Sequence, residues 1–342
     1  METGHATALE VFLSNDSSNA TIEAVVCIPT FRRPEGLAET LRSLLEQRGE
    51  VPFAIVVVEN DAANPTGAQA ARLLLSNADL QSAIVIEQRQ GNCHAINRAF
   101  VEARQRFPSA EYLLMIDDDE IAHPDWVENL VSTARRSGAH VVGGPVIRHF
   151  KVPVSKSISR HSLYGFISGP TRQVPIIHGT GNCLIRREVF SGIDSPLFDE
   201  AFNFLGGGDM DFFVRCQSAG YRFWWSEEAV VYETIAPERS TAAWLLRRSI
   251  RTGSINYLID RKRAQSPLSI ARLQVKNIGS LGLSVFRSAA ILIRSLRVFP
   301  ATHPLLMSVG RITASLGILP APYKASSIPT ATNKVAAAQT AK

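Results

Sequence analysis

Two clusters of carboxylates carry the chemistry this sequence can offer. The first is Met115-Ile116-Asp117-Asp118-Asp119-Glu120, an apolar run that ends in four consecutive acids. Four like charges at a strand end repel unless a cation compensates them, and hard oxygen ligands select Mg²⁺ or Mn²⁺. A divalent ion held there would bridge to a diphosphate and stabilise it as it leaves. The competing reading is a solvated acidic turn before a helix that Pro124 helps to start. The second cluster is Gly206-Gly207-Gly208-Asp209-Met210-Asp211, which opens a helical pattern with Phe212, Phe213 and Cys216 facing inward. Glycines admit close backbone approach, and a carboxylate at a helix N-terminus serves as a cap or as a positioned base. Capping accounts for Asp209 or Asp211 but not for the glycines beside them.

The elements around these clusters read as α/β. Apolar runs rich in β-branched residues at 24–28, 54–58, 83–86 and 112–116 alternate with helical patterns, one begun by Pro34 with Leu37, Leu41, Leu44 and Leu45 on one face, another over residues 93–106. Short strands that are nearly all apolar suit a mainly parallel sheet buried on both faces. The polar residues at their carboxyl ends, Thr30, Glu59 to Asp61 and Asp117 to Glu120, then share one rim, where ligands bind in open α/β sheets. Beyond residue 147 the pattern is mixed, with strands predicted at 181–185, 221–225 and 229–233 and a helix over 208–219 closed by Gly220. No G-x-G-x-x-G or G-x-x-x-x-G-K-[ST] is present, so phosphate has to be held in another way.

Composition divides the chain in two. Its 342 residues are 45% hydrophobic, enough for one large core plus an appendage. Residues 1–239 carry 21 Lys+Arg against 30 Asp+Glu, a net of −9, and residues 240–342 carry 15 against the single Asp260, a net of +14. The basic part interleaves its charges with aliphatic runs, which favours an anionic membrane surface over nucleic acid. It reads as basic amphipathic helices over 240–315, with apolar stretches short of the roughly 18 residues a bilayer crossing needs, so a peripheral or monotopic attachment is expected. The opening lacks a basic region followed by an apolar one, and the expectation is a cytoplasmic protein. Cys27, Cys93, Cys183 and Cys216 lie far apart in apolar stretches and read as buried thiols. Trp224 and Trp225, able to stack on sugar, read as strand core.

The order of segments resembles the family 2 glycosyltransferases with the GT-A fold, especially bacterial exopolysaccharide enzymes of the succinoglycan-building kind. The matching pieces are Val26 to Pro34, Val57 to Asp61, Gly91 to Asn97, Asp117 to Glu120, Gly179-Thr180-Gly181-Asn182 with Arg186-Arg187, and Gly207 to Phe212 through Gly220. The likeness covers about residues 24–262 and includes Trp244 to Gly253, with Arg247, Arg248 and Arg251. It implies a catalytic domain (23–239) whose nucleotide half runs to about residue 147; composition and charge pattern add a flexible N-terminus (1–22), a membrane-association segment (240–315) and a loose tail (316–342). By the same resemblance Pro29, Thr30, Arg32, Asn97 and Asp118 would line the nucleotide site. Glu59 would meet the base, Asp117 the ribose side and Asp119 the metal. Gly181 and Asn182 would lie on the acceptor and sugar side. Asp209 would be the general base, with Asp211 in reserve. Glu59 stands where Asp is commoner, Ile96 where Arg is expected, Gly208 in place of a Glu, and Tyr232 in place of a frequent His, with Glu233 available as a substitute metal ligand.

The activity implied is transfer of a sugar from a nucleotide-diphosphate sugar, a UDP-sugar by preference, to a lipid-linked saccharide, with inversion and with a divalent cation (Mn or Mg). One base on the acceptor side and one charge sink on the departing side suffice for such an in-line displacement. A metal-dependent nucleotidyltransferase would use similar carboxylates, but it needs a basic glycine-rich loop that Pro29 to Pro34 half supplies. A non-catalytic membrane-bound scaffold is the other alternative, motivated by Ile96, Gly208 and Tyr232.

Overall fold

A computed structural model describes residues 11–13, 21–165, 169–295 and 298–320. Residues 1–10, 14–20 and 321–342, which hold most of the two expected tails, lie outside the described residues. In chain order the first half contains β1 (Val11–Leu13), β2 (Ala24–Thr30), α1 (Pro34–Leu45), β3 (Phe53–Glu59), α2 (Thr66–Leu75), β4 (Ser82–Ile86), α3 (Asn92–Arg106), β5 (Tyr112–Ile116), β6 (Glu120–Ala122), α4 (Trp126–Ser137), β7 (Val141–Gly143) and β8 (Val146–Phe150). The second half contains α5 (Lys156–Ser159), β9 (Arg172–Val174), β10 (Asn182–Arg186), α6 (Val189–Gly192), α7 (Gly208–Ser218), β11 (Phe223–Trp225), β12 (Val231–Ile235), α8 (Ala242–Arg263), α9 (Pro267–Ser295) and α10 (Val298–Ser315).

Nine strands form the main sheet in the order β1-β4-β3-β2-β5-β10-β7-β11-β9. Its centre, β4-β3-β2-β5, is parallel as the apolar runs predict, while β10 is antiparallel to both β5 and β7. Period-two alternation makes each central strand serve two cores. Val25 and Cys27 of β2 face α3 and α7, through Ile96, Phe100, Phe212 and Phe213. Ala24, Val26 and Ile28 face α1, α2 and α4, through Leu37, Leu41, Ala71, Trp126 and Leu130. All four cysteines are buried and free, and Trp225 joins the first core while Trp224 packs on the second.

A second sheet that the sequence pattern did not reveal, β6-β12-β8, stands beside the carboxyl end of β5. It pairs Glu120 of β6 with Glu233 of β12, and Glu233 with Arg148 of β8. The basic C-terminal helices are present, and α8 is built into the body. Ile255 and Ile259 of α8 belong to the first core, and Lys262 pairs with Asp199 and Asp211 at 2.7 and 2.8 Å. Helix α10 crosses α8 at two glycines: a Cβ on Gly253 would lie 1.9 Å from the Met307 carbonyl oxygen, and one on Gly310 1.9 Å from that of Ile250. Only glycine lets these backbones approach so closely.

Candidate active site

The rim at the carboxyl ends of β2, β3 and β5 gathers the acidic run. Glycine at 36 lets α1 start against it, because a Cβ there would meet the Asp118 carbonyl at 2.6 Å. Asp118 is buried and committed: its Oδ2 accepts from the Thr30 hydroxyl (2.8 Å) and the Phe31 N–H (3.4 Å), and its Oδ1 faces Arg33 Nη1 at 3.0 Å. Glu120 is buried too and accepts the Asp117 N–H at 3.0 Å. Asp119 is more open and meets Arg33 (2.8 Å) and Arg239 (3.3 Å). Burial and the charges of Asp119, Asp118 and Glu233 push Asp117 up to about 8. Burial, together with Asp117 and Glu233, lifts Glu120 well above the ordinary carboxylate range.

Among the described residues no three His, Cys, Asp or Glu side chains converge as a ready-made metal cage. The donor set nonetheless fits a cation that is held jointly with phosphate oxygens. Mg²⁺-type sites use one or two carboxylates plus a substrate phosphate, and a cation would offset both the burial and the carboxylate neighbours that disfavour the charged forms of Asp117 and Glu120.

Glu59, at the end of β3, is fully buried. Its Oε1 accepts the Asp61 N–H (2.9 Å) and its Oε2 the Gly67 N–H (2.8 Å), so it fastens the 61–67 loop at the start of α2. Gly67 leaves room for this contact, since a Cβ would lie 2.5 Å from Oε2 and would push the carboxylate off the two N–H groups. Burial raises the Glu59 carboxyl. Arg32, with φ +57 in the left-handed region, turns the chain so that its guanidinium pairs with Asp61 above that loop. Pro29 lies within β2, opposite Val58.

On the other side of the rim, Gly207 is the N-cap of α7 and Asp209 sits in the first turn without capping it. Among the described residues the Asp209 carboxylate has no hydrogen bond or ion pair. Asp211 is buried and paired with Arg215 (3.1 Å) and Lys262 (2.8 Å), which ties α7 to α8. The 179–181 loop spans the two clusters: a Cβ on Gly179 would lie 3.9 Å from Asp209 Oδ2, and one on Gly181 2.9 Å from Asp117 Oδ2 and 2.7 Å from both Glu120 oxygens.

Two of the sequence-predicted residues are held elsewhere. Asn97 bonds both ends of its amide to the Phe198 backbone, at 2.8 and 2.9 Å. Asn182 accepts from Trp126 Nε1 (2.8 Å) and donates to the carbonyls of Pro145 (3.0 Å) and Ala229 (2.7 Å). Three residues to which motif reasoning gave no role, Arg33 within the Val26 to Pro34 piece and Arg148 and Arg239 outside any motif, neutralise the acidic rim. Only the charge imbalance around residues 117–120 could have hinted at them.

The α/β fold with a largely parallel central sheet is the one shared by solved GT-A glycosyltransferases. A solved mannosyltransferase from Pyrobaculum calidifontis, in complex with GDP-Man and Mn²⁺, superposes with a TM-score of 0.56 at 17% identity, over 87% of this chain and 88% of that one. Glycosyl transferase family 2 matches residues 25–193, and glycosyl transferase family group 2 matches residues 112–320. Succinoglycan biosynthesis protein ExoM of Rhizobium meliloti (strain 1021) is 30% identical over 69% of this chain and 74% of its own length. A glucosyl-dolichyl phosphate glucuronosyltransferase of Haloferax volcanii is 24% identical over 70% of this chain and 77% of its own. The chain belongs to glycosyl transferase family 2.

Proposed function

We propose that this protein is an inverting, divalent-cation-dependent glycosyltransferase that moves a sugar from a nucleotide-diphosphate sugar, a UDP-sugar, to a growing lipid-linked bacterial polysaccharide. The observation that carries the reading is the carboxylate of Asp209, without a partner among the described residues and set across the 179–181 loop from the Asp117 to Glu120 run. Asp209 takes the proton of an acceptor hydroxyl as that oxygen attacks the anomeric carbon. The bond from that carbon to the diphosphate oxygen breaks on the opposite side, so an α-linked donor gives a β-linked product. Asp119 sits where the diphosphate leaves, and a bound divalent cation supplies charge neutralisation there. Thr30, Asp118 and Arg32, with the loop that Glu59 fastens, enclose the nucleoside side. The succinoglycan relative supports a polysaccharide product, the glucosyl-dolichyl phosphate relative a lipid-linked acceptor, and the GDP-Man and Mn²⁺ of the structural neighbour a nucleotide-sugar donor with a cation.

The open face of α9 supports a site of action at a membrane, and the occupant we assign to that face is the anionic cytoplasmic leaflet of the inner membrane. Val275, Ile278, Phe286 and Ile293 form one exposed apolar stripe at helical spacing, and Arg272, Lys276, Arg287 and Arg294 run beside it, also exposed. No helix among the described residues is long and apolar enough to cross a bilayer. An interfacial helix has this pattern of greasy stripe and basic flank. To test the reaction, the full chain is incubated with single nucleotide sugars, Mn²⁺ or Mg²⁺, and bacterial lipid extract. The reading expects nucleoside diphosphate release with sugar in the lipid fraction. Pyrophosphate release would point to nucleotidyl transfer, and no product from any donor would overturn the assignment.

A further inference from the structure

The carboxylate placed to meet a cation is already occupied by the protein's own cations. A single oxygen of Asp119, Oδ2, receives Arg33 Nη1 at 2.8 Å and Arg239 Nη1 at 3.3 Å. Arg239 extends its other nitrogen, Nη2, to Glu233 Oε1 at 2.7 Å, while Arg148 takes Glu233 Oε2 at 2.9 Å. Five carboxylates (Asp117, Asp118, Asp119, Glu120 and Glu233) thus stand against three guanidinium groups (Arg33, Arg148 and Arg239). A divalent cation and a guanidinium on the same oxygen repel each other, so cation binding at Asp119 requires Arg33 and Arg239 to leave it. Their placement allows that. Arg33 lies on the loop before α1 with its side chain 49% exposed, and Arg239 lies on the short turn Pro237–Ser240 that leads into α8. Arg148, fixed in a strand, has no such freedom.

We propose that Arg33 and Arg239 are exchangeable counter-ions: they hold Asp119 and Glu233 while the site lacks donor, and they turn onto the diphosphate when donor and cation enter together. The inference rests on the nucleotide-diphosphate reading above. It makes cation alone a poor ligand and couples cation affinity to the presence of diphosphate. It also connects the C-terminal helices to the donor site. The Arg239 guanidinium lies over the Trp244 ring of α8 at 5.6 Å, and the Arg239 carbonyl accepts from the Tyr164 hydroxyl. The acidic residues that receive Arg239 sit on β5–β6 and β12.

The test is Mn²⁺ and UDP binding to the full chain, measured by titration calorimetry and Mn²⁺ electron paramagnetic resonance, for wild type, Arg33→Gln, Arg239→Gln and Arg239→Lys. Because a competitor for Asp119 is removed, each glutamine variant should bind Mn²⁺ alone about fivefold tighter. Because a charge-assisted contact to diphosphate is lost, each should bind UDP at saturating Mn²⁺ about tenfold more weakly. Arg239→Lys, which keeps the charge but cannot reach Asp119 and Glu233 with two nitrogens at once or stack on Trp244, should fall between wild type and Arg239→Gln in both measurements. A merely structural role moves both affinities in the same direction, and that result, or no change in either, overturns the proposal. Wild type that binds no nucleoside diphosphate with Mn²⁺ overturns the donor reading itself.

Discussion

Replacing Asn182 separates a structural from a sugar-binding role for the residue that follows the 179–181 loop. The residue is 4% exposed, its two amide hydrogens go to the carbonyls of Pro145 and Ala229, and its oxygen receives the Trp126 indole. Asn182→Leu keeps nearly the same volume and removes all three bonds, so the cavity term is small and the polar term dominates. Each buried partner left without a mate costs roughly 1–3 kcal/mol, which for three partners gives about 3–6 kcal/mol after partial relaxation. That is a large share of the roughly 5–15 kcal/mol that holds a domain folded. Urea unfolding followed by tryptophan fluorescence should show a midpoint lowered accordingly with an unchanged slope. In protein that remains folded, the KM for acceptor should hold. A stability loss below about 1 kcal/mol, with an acceptor KM raised tenfold or more, would place Asn182 on the sugar and refute the assignment of its amide to packing.

Three further outcomes are expected. Asp119→Ala should abolish Mn²⁺-dependent tightening of nucleoside-diphosphate binding and remove most turnover, since a lost ligand acts on binding and rate together; wild-type Mn²⁺ dependence in calorimetry would contradict it. His161 is 1% exposed beside His303, and burial, with the His303 charge as the lesser cause, lowers it to about 4. The unfolded chain takes up that proton below about 6.5, so stability should fall as pH drops from about 6.5 towards 4, by about 3 kcal/mol in all. His161→Asn, which still accepts the Leu163 N–H, should flatten that acid slope, and an unchanged slope would refute the cause. Ile278→Ser, Phe286→Ser and Ile293→Ser combined should abolish sedimentation with anionic liposomes, and binding that survives in this variant would remove α9 as the contact.

The sheet was legible because its strands are short, apolar and alternate with helical periods; β2, β3 and β5 fall within two residues of the predicted runs at each end. The acidic run and Gly206 to Asp211 were legible as types and spacing, and the structure brings them to opposite ends of one glycine loop. Long-range pairing was not legible. Asn97 and Asn182 look like polar site residues in a motif, yet an amide that meets two backbone carbonyls, as the buried Asn182 does, or one backbone N–H and C=O pair, as the half-buried Asn97 does, has the same sequence signature. Asp211 differs from Asp209 only through Arg215 and Lys262, and Lys262 lies 51 residues downstream. Charge patterning likewise marked residues 240–315 as one basic segment, whereas contacts divide it. Helix α8 packs into the catalytic body through Ile255 and Ile259, and α9 keeps an apolar face open.

The central claim is that Asp209 draws the proton from the acceptor while the donor is held elsewhere. The direct measurement is nucleoside diphosphate release by Asp209→Asn at saturating donor, acceptor and Mn²⁺, alongside donor affinity from calorimetry. A base acting only in the transition state predicts a rate lowered by about 10²-fold or more with donor affinity unchanged. A variant that keeps more than about a tenth of the rate, or that loses donor affinity in proportion to rate, would contradict the assignment.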